Sequence, residues 1–169
     1  MTEVPARRRG WPVMLAVAVA AAAADQATKQ WAVGALAEGE ARPLVGDILT
    51  LQLVRNSGAA FSLGANATWI FTILSAAIVA GIAVYAPRIA HLPTAAALGL
   101  LGGGAVGNLI DRLIRPPAFG RGHVVDFINY NGWFVGNIAD VWIVAAALWL
   151  AVMYATAGPR GGREGADDE

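Results

Sequence analysis

Four long stretches of this chain carry few or no charges. The first runs from Trp11 to Leu36 and is interrupted only by Asp25 and Lys29. The others are Thr68–Tyr85, Leu92–Ile110 and Val141–Ala157, the last extendable backwards through Ile138–Asp140. A helix needs roughly 20 apolar residues to cross the hydrocarbon core of a bilayer. A soluble chain of 169 residues has too little protein to surround four helices that are apolar on every face. Composition agrees: 57% of residues are hydrophobic and 14% charged, against roughly 45–50% and 25% in soluble domains. The expected fold is an all-α membrane protein, a single polytopic domain over residues 1–157. Its four spans lie at about 11–36, 67–86, 92–112 and 137–157.

The first stretch resembles a signal peptide, with Arg7, Arg8 and Arg9 ahead of a run of small apolar residues. The helical pattern continues past Asp25 to Trp31, so it is read as a retained span. Basic residues divide evenly between the two sides, and the Arg triplet before the first span decides the orientation, N terminus inside. Residues 37–66 and 114–136 then lie outside. They hold two strand-like runs, Ile48–Val54 and His123–Ile128, which predict a small extracytoplasmic β-sheet. The Gly-rich, charged tail at 158–169 is expected to be disordered.

Several chemistries are excluded early. The chain has no cysteine, hence no disulfide, thiol nucleophile or thiolate metal site. Its two histidines, His91 and His123, are far apart and too few for a histidine metal site. No cofactor is expected. A formal net charge of zero gives no electrostatic footprint for nucleic acid.

Charges retained in a bilayer mark function by default. Asp25, Lys29, Asp111, Arg112 and Asp140 all fall toward the outer end of the spans in this topology. Asp25 and Lys29 are four apart and share a helix face. Asn108 with Asp111, and Asn137 with Asp140, are three apart, and Asn108 with Arg112 four apart. Charge neutralisation at helix ends explains the first pair as well as function does. It does not explain an amide beside each carboxylate. Asp126 sits between Val125 and Phe127 on the second strand, where it could simply face water. Gly99, Gly103 and Gly107 recur every four residues, with Gly102 and Gly104 beside them, and predict close helix packing.

In chain order the polar elements are Asp25-Gln26-Ala27-Thr28-Lys29, Asn56-Ser57-Gly58-Ala59-Ala60-Phe61-Ser62, Gly107-Asn108-Leu109-Ile110-Asp111-Arg112, Val124-Val125-Asp126-Phe127 and Asn137-Ile138-Ala139-Asp140. This series resembles the signature of lipoprotein signal peptidases (signal peptidase II) over residues 11–157. The resemblance implies a membrane aspartic endopeptidase of the bacterial cytoplasmic membrane, with its site facing the extracytoplasmic side. The catalytic aspartates would be Asp126 and Asp140. Asn56, Gly58, Asn108, Arg112 and Asn137 would bind the substrate backbone or orient the pair, Asp25 and Lys29 would stabilise the site, and Asp111, held by Arg112, would support it. The partners implied are membrane lipids and prolipoproteins carrying a diacylglyceryl-cysteine, cut on the N-terminal side of that residue, with the enzyme a monomer. One departure is the short stretch between Asp126 and Asp140, where Asn129-Tyr130-Asn131-Gly132 makes a tight turn; loop contacts hang on it, not the acid pair. Rival readings are a proton-coupled transporter or channel, a Ser-Lys protease built on Ser57 or Ser62 with Lys29, and a structural membrane subunit.

Overall fold

A computed structural model describes residues 10–58 and 68–157. The Arg7-Arg8-Arg9 triplet, the Ala59–Ser62 part of the second motif and the tail from residue 158 lie outside the described residues. The helices are α1 (Trp11–Ala35), α2 (Thr68–Tyr85), α3 (Leu92–Ile114) and α4 (Ile138–Thr156), and each is long and apolar enough to cross a membrane. A short 3₁₀ turn, Ala86–Arg88, joins α2 to α3. Between the helices run β1 (Ala41–Val45), β2 (Leu49–Asn56), β3 (Val124–Tyr130) and β4 (Val135–Gly136). They form one antiparallel sheet in the order β1-β2-β3-β4. The sheet is longer than the two strand-like runs suggest. β1 carries Arg42 and Pro43 and is exposed along its length, so it has no alternation for the eye to find.

Helix α3 is central and packs on α1, α2 and α4. Its glycines explain how. A Cβ on Gly99 would lie 2.6 Å from the Met14 carbonyl oxygen, and one on Gly103 would lie 2.6 Å from that of Ala18. One on Gly107 would overlap the Asp25 carboxylate. This row is therefore the seat of α1. Gly104 points the other way, with the Ala139 carbonyl 2.6 Å from where its Cβ would be, and seats α4. Small residues replace side-chain burial with backbone contact, which is how helices associate where lipid supplies no hydrophobic drive.

The sheet closes one end of the bundle. Leu53, Val125 and Phe127 pack on Ala32 of α1 and on Leu36 just past its end, and Trp31 meets the Phe127 ring edge-on at 6.2 Å. Inside the β3–β4 hairpin, Asn131 and Gly132 both have positive φ, 54° and 77°. That is the backbone of a tight two-residue turn whose twist suits a hairpin. The hairpin brings the chain from Asp126 to the start of α4 in few residues.

Candidate active site

The buried polar residues gather at the end of the bundle beneath the sheet. Asp25, Lys29, Asp111 and Asn137 are fully buried, and Asp126 is 2% exposed. At their centre is Lys29. Its ammonium lies 2.8 Å from Asp25 and 3.1 Å from Asp111, and it donates to Asn108 Oδ1 at 2.9 Å. All three of its N–H donors are thereby used.

That one cation sets the direction of two amides. Lys29 can only donate, so Asn108 must turn its oxygen toward it and its Nδ2 toward Asp140, at 3.1 Å from Oδ1. Asn137 Oδ1 accepts from the Asp140 backbone N–H at 3.1 Å, which turns its Nδ2 toward Asp126 Oδ1 at 2.6 Å and Asn108 Oδ1 at 3.2 Å. The second oxygen of Asp126 accepts from Asn56 Nδ2 at 2.8 Å. The second oxygen of Asp140 accepts from the Asn137 backbone N–H at 3.0 Å. Asp126 and Asp140 are thus joined through a single residue, Asn137. That residue and Asp140 also form the capping box of α4, so the spacing read as a helix-face pair is a helix start.

Asp126 lies opposite Val54 on β2, just past a bulge in the pairing. Its burial pushes its carboxyl up to about 7, and the neighbouring Asp140 adds to this. The hydrogen bonds from Asn56 and Asn137 work in the opposite direction.

Asp111 stands apart from this pair. Its oxygens accept from Gln26 (3.2 Å), Arg115 (2.7 Å) and the Val125 backbone N–H (3.0 Å), besides the Lys29 ion pair. Four donors fill the acceptor sites of a carboxylate. Its cationic partners are Lys29 and Arg115, which corrects the expectation that Arg112 holds it. Neighbouring residues on a helix point about 100° apart, and the partner on the same face is four residues on. Arg112 instead donates to the Asn108 carbonyl at 3.1 Å and lies 5.7 Å over the Phe71 ring. Its Nε is buried and unpaired among the described residues. Gly58 enters through the same ring. It has φ 88°, and a Cβ there would lie 2.5 Å from Phe71. Its N–H donates to Asn56 Oδ1 at 2.7 Å, which leaves the Asn56 Nδ2 for Asp126.

Asp25 accepts from the Ala139 backbone N–H at 2.9 Å and ties α1 to the first turn of α4. Every expected site residue therefore joins one network. Gln26, Phe71 and Arg115 belong to it too and were not singled out from the sequence. Arg115 had a signal, four residues after Asp111. Gln26 had only its place beside Asp25, and Phe71 had none.

The rivals fare poorly against this geometry. A Ser-Lys protease needs a lysine with a free lone pair, and Lys29 is enclosed by two carboxylates and an amide. A proton path needs polar groups along the bundle. Among the described residues, the buried charged groups all lie at the sheet end.

The chain matches the family described as Signal peptidase (SPase) II over residues 17–156. It is 43% identical over 141 residues to a lipoprotein signal peptidase of Mycobacterium avium, covering 83% of this chain and 78% of that protein. It is 40% identical to one of Bifidobacterium longum subsp. infantis, covering 83% and 77%. A bacterial membrane enzyme solved by the in meso method at 2.3 Å has the same fold, with a TM-score of 0.77 at 24% identity over 92% of this chain and 95% of the other. Four membrane-spanning helices, a ring of buried acids and amides at one end, and these relatives agree: the chain belongs to the signal peptidase II family.

Proposed function

We propose that Asp126 and Asp140 are the acid–base pair with which this chain cuts prolipoproteins on the N-terminal side of a diacylglyceryl-modified cysteine. Prolipoprotein signal-peptide cleavage is the activity of the family, and the chain is a multi-pass membrane aspartic peptidase. The observation that carries the residue assignment is the bridge through Asn137. It holds two carboxylates from different elements, a strand and a helix start, in one hydrogen-bonded unit.

Two close carboxylates share one proton near neutrality, because both cannot ionise cheaply. Their surroundings divide the roles. Asp126 is buried under the sheet and keeps the proton. Asp140 sits in the first turn of α4, at the positive end of the helix dipole, which favours a negative charge, and two N–H donors point at it. In this reading Asp140 takes a proton from water, the resulting hydroxide adds to the scissile carbonyl, and Asp126 gives its proton to the developing oxyanion. Collapse breaks the C–N bond as Asp140 passes its proton to the leaving amine and Asp126 takes back a proton from the gem-diol hydroxyl, which restores the starting state of the pair. Arg112 has a buried donor that is unpaired among the described residues and suits a substrate carbonyl. Asn56, Gly58, Asn108 and Asn137 aim the pair, while Asp25, Lys29 and Asp111 hold the elements that carry it. The site faces the extracytoplasmic side of the bacterial cytoplasmic membrane, residues 37–66 and 114–136 lie on that side, and the enzyme works as a monomer.

The test is single-turnover cleavage of a lipidated prolipoprotein by purified protein in detergent, with thermal melting in parallel. Asp126→Asn and Asp140→Asn should each abolish cleavage while the protein stays folded. The double variant should lose little more, because the pair acts as a unit. Substantial turnover by either single variant overturns the pair. Reporter fusions at Gly39 and Arg88 should read outside and inside, and identical signals overturn the orientation.

A further inference from the structure

A groove opens beside Asp140 on the side of α4 that faces away from the bundle. Its volume is about 420 Å³. The hairpin forms one wall, with the rings of Tyr130 and Phe134 stacked at 5.5 Å and 19°. Val141, Val144, Ala145 and Leu148 form the floor. From Asp140 to Leu148 the groove follows the helix for about 12 Å. It thus begins at a reacting group and runs down the apolar length of a membrane-spanning helix.

The wall is built, not incidental. A Cβ on Gly136 would lie 2.5 Å from the Phe134 ring and 2.9 Å from Asp140 Oδ2. Glycine at this position lets the ring lie against the hairpin next to the carboxylate. The 130–134 turn is locked by a Tyr130 N–H bond to the Phe134 carbonyl at 2.8 Å and a Trp133 N–H bond to the Tyr130 carbonyl at 3.0 Å. The ring pair is therefore held in place above α4.

We infer that this groove holds one acyl chain of the substrate's diacylglyceryl group during cleavage. Three features select that occupant. Apart from Asp140 at its head and the Tyr130 hydroxyl, the residues that line it offer hydrocarbon and aromatic surface, which suits an alkyl chain and no polar ligand. Size excludes a signal-peptide helix: a 12 Å length of helix about 10 Å across occupies roughly 900 Å³, about twice the space present. Position distinguishes a substrate chain from a bulk lipid, because a chain entering beside Asp140 is one that can be tethered to the residue being cut. The inference rests on the proposed function, and it adds a specificity site outside the acid–base network: Tyr130, Phe134, Val144, Ala145 and Leu148 read the lipid, while Asp126 and Asp140 read the peptide bond.

Two measurements test it. Ala145→Trp and Val144→Trp fill the groove from exposed positions on α4 without touching the pair. With a prolipoprotein carrying long acyl chains, KM should rise at least about tenfold, the effect of withholding a few methylenes from an apolar site, with kcat nearly unchanged. With a dibutyryl-glyceryl version, whose chains are too short to reach Val144, the same variants should match the parent. Equal effects on both substrates, or none on the long-chain one, overturn the groove. In the second measurement, a prolipoprotein with a photoreactive group near the end of one acyl chain is bound to the Asp126→Asn protein and irradiated. Label should fall on the 141–148 segment and be competed by unlabelled prolipoprotein, not by excess phospholipid. Label on α1 or α2, or competition by phospholipid alone, overturns the assignment to the substrate's chain. Cleavage of the long-chain substrate by the parent protein is the separating control: if it is absent, the proposed function itself fails.

Discussion

Gly102 and Gly103 are neighbours on α3, yet alanine should have opposite effects at the two positions. At Gly103 the new methyl would lie 2.6 Å from the Ala18 carbonyl oxygen and 2.7 Å from the Ala21 Cβ. The first obstacle is backbone, so only a shift of α1 can relieve it, by roughly 1 Å to reach ordinary contact. Forcing a methyl into a packed interface costs about 1–3 kcal/mol, and the helix-propensity gain of alanine over glycine returns at most about 1 kcal/mol. With that return taken in full the net loss is up to about 2 kcal/mol, or as much as roughly 8 °C in melting temperature for a chain of this size. At Gly102 the nearest atom is a flexible Ile82 methyl at 3.5 Å, an ordinary contact, so alanine there should be neutral to slightly stabilising. The same shift of α1 would draw Asp25 from its 2.9 Å bond to the Ala139 N–H and stretch the Lys29–Asp111 ion pair, so cleavage should fall with stability at Gly103 alone. Thermal unfolding followed by tryptophan fluorescence suits this chain, which has six tryptophans and no cysteine for thiol dyes. A Gly103→Ala protein that melts as high as the Gly102→Ala protein and cleaves normally would refute the reasoning.

Other consequences are more direct. Because Asp126 is raised from 3.8 to about 7, the unfolded chain releases this proton at lower pH than the folded one. Its stabilising contribution is therefore complete below the ordinary carboxylate range and is lost as pH rises through about 7; melting curves across that window should fall for the parent and be flatter for Asp126→Asn. Lys29→Met leaves two buried carboxylates facing each other and should cost about 3–5 kcal/mol, read as a lower melting temperature, with Asp25→Asn in the same background recovering part of it. Arg115→Met removes a 2.7 Å bond to Asp111, whose other oxygen holds the N–H of Val125, one residue before Asp126. It should lower kcat by up to about a hundredfold, the scale on which small misplacements act, with KM little changed and the pH profile altered; an unchanged kcat would remove Arg115 from the positioning of Asp126.

What the chain's order of residues determined by itself is the solvent and the parts. Four apolar runs of bilayer length, three of them without a charge, demand helices, because a backbone in hydrocarbon must satisfy its own hydrogen bonds. Five charged residues toward the outer end of the spans, Asp25, Lys29, Asp111, Arg112 and Asp140, point to a shared site, because isolated charges in lipid are too costly to keep without purpose. A glycine every fourth residue already says that α3 is approached closely. What only the tertiary structure decided is who meets whom. Along the chain Asp111 looks the better candidate, and only the family resemblance points to Asp126. They differ because α1 delivers Lys29 and Gln26 to Asp111 and leaves it saturated, while the sheet carries Asp126 to Asn137 and the head of α4. Arg112 follows Asp111 in the chain and still points away from it for the same reason: adjacency along the chain is not adjacency on a helix. The strand β1 and the ring of Phe71 leave no periodic trace, since an exposed edge needs no alternation and one aromatic on an apolar helix looks like any other. The groove beside Asp140 is likewise invisible in one dimension, because its wall and floor come from two elements that the Asn131-Gly132 turn folds together.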